Sequence, residues 1–487
     1  MPLRLLLPVF LLAFLVAGCG GESSNTSGGS SIPAGASMVR AGVVAFIAID
    51  SDTGSEQWQQ LDELSHKFPA RDKLIARMQQ AFSEQGVDYE RDVKPALGPE
   101  LDLAIVSGGT EASTKAVGLT EPDDPAKFKA LVEKLNASDQ GDDDAVYREV
   151  EGWYALSDSQ AAIAEVLKGD GTALADDDTF KQAMGKLPGD ALAKAFLDGQ
   201  RLSTLVAKGT ASGGNGFDAS TLGLDKLRYI AASASAEDDG IRVRGASSGG
   251  TGGGGEATLA EGVPADAFAL LDFLGQGTTD QLGRLKSNPQ FAPVLEELQE
   301  YGVTLDEVLS LLQGEVAFYA RPGAVIPELT LVLDAKDATG ALATIDTLME
   351  HLAESAGGTV QEGSQDGHPV KTVNLGNLAI HYGALDGKVL LTSGPNGIAD
   401  YGTSGDRLPD SEDFREAKDA AGMPDSTGGF AYVDLKDALP LLEGFASLSG
   451  EELPSDVTEN LRPLRSFLAW SEGGSDSRTF DAFLEIK

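Results

Sequence analysis

The sequence predicts an α+β protein made of two duplicated units, each a mainly antiparallel β-sheet with helices packed on one face. Three observations predict this fold. Several strand-like runs are joined by connections too short for parallel crossovers. Segments with helical spacing separate them, and a set of sequence features recurs in the same order in both halves. The length of 487 residues suggests two to three domains, and a hydrophobic content of 41% allows packed cores.

The first nineteen residues have the features of an export signal. Arg4 is followed by an apolar run over 5–16, which is shorter than the roughly 20 residues that a membrane-spanning helix needs. The run ends in Val16-Ala17-Gly18-Cys19, which contains the only cysteine of the chain. These closing residues resemble the lipobox of bacterial lipoproteins. The resemblance implies cleavage before Cys19, lipidation of its thiol, and a folded body anchored outside the cytoplasm.

Two segments divide the remaining chain. Residues 20–31 contain no apolar side chain, which predicts a flexible tether over 19–32. Residues 245–255 hold seven glycines among eleven, which predicts a linker over 245–262. With a signal peptide over 1–18, these boundaries leave repeat units over 33–244 and 263–487.

The elements of the first unit follow from hydrophobic spacing. The continuous apolar run 43–49 predicts a buried strand, and two helices follow, with apolar residues at helical spacing over 58–68 and 74–82. Strands are then expected over 101–106 and 116–119. Pro125 predicts a helix start, because its missing N–H is unpaired there in any case.

The second part of the first unit alternates hairpins and helices. Glu151-Gly152 lies between two β-rich runs and predicts a hairpin of 146–150 with 153–157. Asp238-Asp239-Gly240 predicts a second hairpin, of 227–236 with 240–245, since tight turns favour Asp-Gly at positive φ. Between the hairpins the pattern predicts helices over 159–168, 178–186 and 200–208, and a strand over 191–197.

A duplication is predicted from features that keep their order across the linker. The offsets between the paired features drift between 215 and 237, as loop insertions would make them, so two related domains are expected rather than a solenoid. The paired features are Pro33-Ala34 with Pro264-Ala265, Ala45–Asp50 with Ala267–Asp272, Gly86-Val87 with Gly302-Val303, Leu97–Leu101 with Leu312–Val316, Gly152–Ser157 with Gly387–Ser393, Phe180 with Phe414, Ala195–Asp198 with Ala431–Asp434, and Leu227-Arg228 with Leu464-Arg465.

Several of these stretches resemble one bacterial family. Gly86–Leu101, the Asp50–Leu64 segment with Gln57-Trp58, and Phe180–Ala183 followed by Leu187-Pro188 are similar to the bacterial domain of unknown function numbered 3352. The resemblance covers most of 33–487 and is clearer in the first half. It implies the fold and the exported location, and it implies no catalytic residue, because the family has no assigned activity.

The charge of the chain limits its partners. The net charge is −39, and removal of 1–18 takes away Arg4 and no acid, which leaves 36 basic against 76 acidic residues, or −40. Such a charge argues against a nucleic-acid-binding surface and against docking of the body on anionic lipid. Solubility is the simplest explanation, and a cationic partner or a metal is the alternative.

No motif indicates catalysis. His66, His351, His368 and His381 do not form an H-x-x-x-H or H-E-x-x-H pair. Gly245–Gly249 matches G-x-S-x-G, but a Gly-rich run follows it where the hydrolase elbow needs a helix.

The acidic runs 142–144 and 176–178 lack the order of a calcium loop, so solvated loops are expected and weak cation binding is the alternative. Asp198 and Asp434 each follow a strand, which predicts helix caps.

The sequence therefore predicts a lipid-anchored envelope protein that acts as a non-catalytic binding or interaction module. Its membrane contact is the lipid on Cys19, and its further partner is an unidentified envelope protein or ligand. No cofactor and no metal is expected. Two alternatives stay open, namely a carrier or chaperone for a hydrophobic ligand and an envelope hydrolase.

Overall fold

In a computed structural model, the described residues are 32–84, 86–107, 114–138, 144–211, 223–249, 254–275, 291–324, 326–376, 378–402, 405–448, 454–474 and 477–487. The chain divides into two compact units. Unit 1 comprises Met1–Ala219 with Leu224–Gly249, and unit 2 comprises Ser220–Gly223 with Gly250–Lys487. Both mix α-helices with antiparallel strands, as an α+β fold requires.

Unit 1 begins with a short 3₁₀ helix, called here the leading turn of unit 1. The described elements of this unit are, in chain order, the leading turn (Ala34–Ser37), β1 (Ala45–Asp50), α1 (Glu56–Ser65), α2 (Arg71–Glu84), a π-helical turn (Tyr89–Val93), a 3₁₀ turn (Lys94–Ala96), β2 (Glu100–Ser107), β3 (Thr114–Thr120), α3 (Pro125–Ser138), β4 (Val146–Val150), β5 (Trp153–Ser157), α4 (Gln160–Val166), a 3₁₀ turn (Leu174–Asp176), α5 (Asp178–Met184), β6 (Ala193–Asp198), α6 (Gly199–Ala211), β7 (Tyr229–Glu237) and β8 (Gly240–Ser248).

The sheet of unit 1 is antiparallel throughout, in the order β4-β5-β3-β2-β1-β6-β7-β8. The β4–β5 hairpin has the predicted bounds, and its turn residues Glu151 and Gly152 have φ of 54° and 88°. The β7–β8 hairpin also forms, but neither Asp238 nor Asp239 has a positive φ. Gly240 there is the first residue of β8, opposite Glu237, so the Asp-Gly pair does not make the turn.

The helices of unit 1 begin where short polar side chains can satisfy free backbone N–H groups. Ser55 accepts a hydrogen bond from the Trp58 N–H at the start of α1. Ser159 does the same for Ala162 at the start of α4. Asp177 accepts from Phe180 at 2.9 Å at the start of α5, so one acid of the 176–178 run is a helix cap.

Unit 1 has a hydrophobic core on each face of its sheet, which differs from the prediction of helices on one face. Alternate residues of β5 point to opposite faces, and all of them are buried. Trp153 and Ala155 pack with Ile163 of α4 in the first core. Tyr154 and Leu156 pack in the second core, which α2 and α3 complete. A strand that is apolar on both sides needs cover on both sides.

The first described element of unit 2 is also a 3₁₀ helix, called here the leading turn of unit 2. Its described elements are the leading turn (Leu259–Gly262), β9 (Ala269–Leu274), α7 (Ala292–Glu300), α8 (Leu305–Leu311), β10 (Glu315–Arg321), β11 (Glu328–Asp334), α9 (Ala338–Ser355), β12 (Gln361–Gln365), β13 (His368–Leu375), β14 (Leu378–Leu385), β15 (Lys388–Thr392), α10 (Gly397–Asp400), a 3₁₀ turn (Leu408–Asp410), α11 (Glu412–Ala421), β16 (Gly429–Asp434), α12 (Leu435–Leu448), α13 (Ser455–Leu461), β17 (Leu464–Gly473) and β18 (Ser477–Ile486).

The sheet of unit 2 is also antiparallel, in the order β12-β13-β14-β15-β11-β10-β9-β16-β17-β18. Both of its faces are covered, so the one-face prediction is wrong here as well. Ala317 and Tyr319 of β10 belong to one core, with Phe414 of α11. Val316 belongs to the other core, with Ile345 of α9.

The Gly-rich segment predicted as a linker over 245–262 contributes to both units. Its first residues complete β8, which extends to Ser248. Its last residues form the leading turn of unit 2, where Leu259 is 1% exposed. Residues 250–253 lie outside the described residues.

We expect Phe180→Ala to lower the free energy of unfolding of unit 1 by about 3–5 kcal/mol, because the cavity cannot be refilled. Phe180 is fully buried, and its ring makes edge contacts with Phe46 and Phe196 at centroid distances of 5.9 and 5.1 Å. Urea unfolding followed by circular dichroism measures the loss. Leu74→Ala, at an exposed position of α2, is the control and should stay within about 0.5 kcal/mol. Equal losses for both variants would contradict this assignment of the core.

Candidate functional site

The structure describes some of the candidate residues and not others. Cys19 lies outside the described residues, as do Asp142 and Asp143. The serine of the G-x-S-x-G match, Ser247, lies within β8 opposite Ile230, so it does not lie on a strand-to-helix nucleophile elbow.

None of the four histidines occupies a catalytic arrangement among the described residues. His66 follows α1 and faces solvent, and its Nδ1 lies 2.8 Å from the Asp62 carbonyl. His351 stacks on Tyr301, with a centroid distance of 4.9 Å. His368 is the first residue of β13. His381 on β14 shares a 2.9 Å hydrogen bond with Thr372, and burial lowers its pKa.

The two recurring aspartates are helix caps, as predicted. Asp198 accepts a hydrogen bond from the Arg201 N–H at 3.0 Å, and Asp434 accepts one from Asp437 at 3.1 Å. Asp413, Asp434 and Asp437 bring three carboxylates within 4.8 Å, which is the spacing of a cation site. Helix capping explains the position of Asp434, and Lys436 forms an ion pair with Asp413 at 3.4 Å. These contacts explain the cluster without an ion.

A pair of buried acids lies beneath the leading turn of unit 2. Glu315, at the start of β10, accepts hydrogen bonds from the backbone N–H groups of Thr258 and Leu259, and from the Thr258 hydroxyl at 3.0 Å. Asp272 of β9 is fully buried, and its Oδ2 accepts from Ala260 at 3.0 Å. Burial, followed by the charge of Glu315, raises the pKa of Asp272 to about 8.

Unit 1 has an acid pair in the same place relative to its own leading turn. Glu100, at the start of β2, accepts from the N–H groups of Ala34 at 3.2 Å and Gly35 at 2.8 Å. Asp102 of β2 is fully buried, and burial, followed by the charge of Glu100, raises its pKa well above the usual range. Asp102, Asp272 and Glu315 are buried and Glu100 is half-buried, and the hydrogen bonds to Glu100 and Glu315 tie both pairs to the leading turns.

Sequence reasoning missed both acid pairs, although a signal was present. Asp102 lies between Leu101 and Leu103, and Asp272 lies between Leu271 and Phe273. An acid in the middle of an apolar strand must be buried if both faces of that strand are covered. The prediction of helices on one face concealed this consequence.

An exposed apolar row on the sheet of unit 2 is the second feature that the sequence did not reveal. The row consists of Leu271 on β9, Phe318 on β10 and Leu329 on β11, which are 45%, 42% and 44% exposed. Phe318 lies opposite Leu271 on one side and Leu331 on the other, and Leu329 is two residues from Leu331. All three side chains therefore point to the same face, as near neighbours.

The apolar row lies next to a packed core, on the same face of the sheet. Phe273 and Leu331, on the same face, are partly buried against the core that α9 covers. Farther along the strands the three side chains of the row are exposed. Contiguous apolar surface of this kind on a highly charged protein is typical of an interaction site.

No helix among the described residues has the length and apolar character that crossing a membrane requires.

The fold is that of a mixed helix-and-strand protein built on large antiparallel sheets. Residues 155–486, more than half of the chain, match the family described as Protein of unknown function (DUF3352). The chain therefore belongs to that family. No curated protein and no solved structure matches it.

The matched region corrects one expectation about this family. The resemblance was expected to be clearer in the first half, on Asp50–Leu64 and Gly86–Leu101. Both stretches precede the matched residues 155–486, whereas Phe180–Ala183 and Leu187-Pro188 lie within them.

We expect Asp434→Ala to lower the free energy of unfolding by about 1 kcal/mol, because α12 loses its cap. Asp434→Asn should cost far less, since asparagine still accepts the Asp437 N–H. Thermal unfolding with and without added calcium measures both variants. If asparagine were as damaging as alanine, and calcium stabilised only the parent protein, the cluster would be a cation site and the capping explanation would fail.

Proposed function

We propose that this protein is a lipid-anchored component of the bacterial cell envelope whose folded body is a non-catalytic interaction module. The sequence Val16-Ala17-Gly18-Cys19 after a short apolar run supports the anchor. The polar residues 20–31 support a tether that holds the body clear of the membrane. The scattered histidines and the buried acids give no support to a hydrolase.

We further propose that the body arose by duplication of one unit. The pairing orders support this, since β4-β5-β3-β2-β1-β6-β7-β8 corresponds strand by strand to β14-β15-β11-β10-β9-β16-β17-β18. Unit 2 then differs by one extra hairpin, β12–β13.

Matched hydrogen bonds support the same correspondence and favour a different register from the one read off the sequence. The Val44 N–H donates a hydrogen bond to the Ile105 carbonyl, and the Phe268 N–H donates one to the Ala320 carbonyl in the same way. Ala45 therefore corresponds to Ala269, not to Ala267. By the same offset Ala34 corresponds to Thr258, not to Ala265, and both of these residues donate to the glutamate of an acid pair.

The apolar row of Leu271, Phe318 and Leu329 is the observation that carries the proposed function. Burying such side chains contributes roughly 25 cal/mol per Å² of apolar surface removed from water. An aromatic residue flanked by two leucines is a typical centre of a protein interface, where a few residues supply most of the binding energy.

The charge of the chain identifies the kind of partner. At a net charge of −39, the protein attracts cationic molecules and repels anionic lipid headgroups. We therefore propose a basic protein of the envelope that places an apolar contact on this row. A hydrophobic small ligand, the carrier alternative, is a separate outcome of the test.

The test is photo-crosslinking in intact cells, with a photoreactive phenylalanine analogue at position 318. The matched control position is Val457 on α13, which is 42% exposed and lies in the same unit outside the row. A discrete protein adduct at 318, absent at 457 and weakened by Leu271→Asp, supports the proposal. Equal labelling at both positions would contradict it, and an adduct of lipid mass at 318 would favour the carrier.

Phe318→Asp should weaken the purified complex about tenfold or more, because it removes the central aromatic contact. Val457→Asp adds the same charge to the same unit and should leave the affinity nearly unchanged. Surface plasmon resonance at two salt concentrations measures both variants. Equal weakening by the two variants would show that charge alone, and not the apolar row, determines binding.

The anchor has its own test. Cys19→Ser should move the protein from the membrane fraction to the soluble extracytoplasmic fraction and abolish incorporation of radiolabelled fatty acid. Ser24→Cys in the same variant is the control, because a thiol outside the lipobox should restore neither property. A membrane-bound Cys19→Ser protein would contradict the proposed lipid anchor.

A further inference from the structure

In both units, a buried aspartate lies opposite an alanine in the central strand pair. Asp102 of β2 faces Ala48 of β1, and Asp272 of β9 faces Ala317 of β10. Both aspartates are 0% exposed. In the register that the proposed duplication favours, Asp102 corresponds to Ala317 and Ala48 corresponds to Asp272. The aspartate has therefore changed strands between the units, while the carboxyl group has kept its place in the fold.

The hydrogen bonds of unit 2 leave one carboxyl oxygen without a donor. Glu315 takes three donors from the leading turn, which suits a charged carboxylate. Asp272 Oδ2 takes the Ala260 N–H, but no described residue donates to Asp272 Oδ1. A buried charged oxygen without a donor is costly. A proton on this carboxyl removes the charge and makes Asp272 a donor to Glu315.

The other groups that face Asp272 are also acidic or neutral. Tyr401, after α10, donates its hydroxyl to the Leu259 carbonyl of the leading turn at 3.1 Å. Tyr319 lies on the same face of β10 as Glu315 and Ala317. No lysine or arginine among the described residues acts on the charge of Asp272, whereas the charge of Glu315 does. The excess negative charge is thus not balanced by a cation from the protein.

In unit 1 the space around the Asp102 carboxyl group fits a proton and no larger cation. Neither oxygen of Asp102 has a donor among the described residues. A Cβ built on Gly35 would lie 1.7 Å from Asp102 Oδ2, so the leading turn packs directly on the carboxyl and leaves no room for an ion. Lys194 interacts with the charge of Glu100, and its ammonium donates to the Gly189 carbonyl at 2.6 Å.

We propose that each acid pair holds a single proton, and that this proton fastens the leading turn of the unit to its sheet. With the proton present, the glutamate carries the negative charge and accepts the N–H groups of the turn, while the aspartate donates to the glutamate. Loss of the proton places two adjacent negative charges in a buried site and loosens the turn.

The direction of the pH dependence follows from the raised pKa of the aspartate. Asp272 has a pKa of about 8 when folded against 3.8 in a model peptide. Its contribution to stability is fully present below pH 3.8, the pKa of the unfolded chain, and is lost as the pH rises through about 8, the pKa in the folded protein. Asp102, also raised, acts in the same direction.

The test compares Asp272→Asn with Asp419→Asn in the full chain. Asparagine imitates the protonated acid, because its amide group can donate to Glu315. The control removes one charge from an exposed position of α11 in the same unit. Thermal unfolding midpoints are measured from about pH 5 to about pH 9. We expect the parent and the control to lose stability across this range, and Asp272→Asn to lose less and to be the most stable of the three near pH 9.

A second readout is independent of the unfolding midpoint. The carbonyl stretch of a buried, protonated carboxylic acid should be present at pH 7 in the infrared difference spectrum of the parent against Asp272→Asn. It should be absent in the difference of the parent against Asp419→Asn. Asp102→Asn tests unit 1 in the same two ways. An unchanged pH dependence in Asp272→Asn, or a spectrum without the protonated acid, would overturn the proposal.

Discussion

Each unit depends on its first strand, which is held between two neighbours that are distant in the chain. β1 pairs with β2 and β6, and β9 pairs with β10 and β16. These strands lie at the centre of sheets covered on both faces, so nearly every side chain there must be apolar or fully hydrogen-bonded. The leading turn directs N–H groups at the glutamate of each acid pair and, in unit 2, at Asp272 as well. The start of each unit and the centre of its sheet therefore stabilise each other.

The same constraint separates the buried acids from the exposed apolar row. Successive residues of a strand point to opposite faces, so Asp272 points into a core while its neighbour Leu271 points to the exposed side. The apolar row is thus fixed in place by strands that the acid pair anchors from the other face. A rigid sheet presents Leu271, Phe318 and Leu329 at defined spacing. Such an arrangement favours binding, because these side chains lose little conformational entropy when a partner binds.

The sequence predicted the elements with strong local signals. Pro125 opens α3, the Glu151-Gly152 turn joins β4 to β5, and Asp198 and Asp434 cap the helices that follow them. It did not predict the cover on both faces of the sheets, because α2 and α4 are amphipathic in the same way whichever face they cover. The acid pairs and the apolar row depend on that cover and on strand register. Hydrophobic periodicity shows neither of them.

Native mass spectrometry of the full chain, purified gently from the cells that produce it, tests the proposed interaction most directly. The proposal predicts an additional mass of protein size that is present in the parent and in Val457→Asp and is lost in Phe318→Asp. A clean mass of the chain alone, or a partner that Phe318→Asp still retains, would contradict an interaction module that acts through the apolar row.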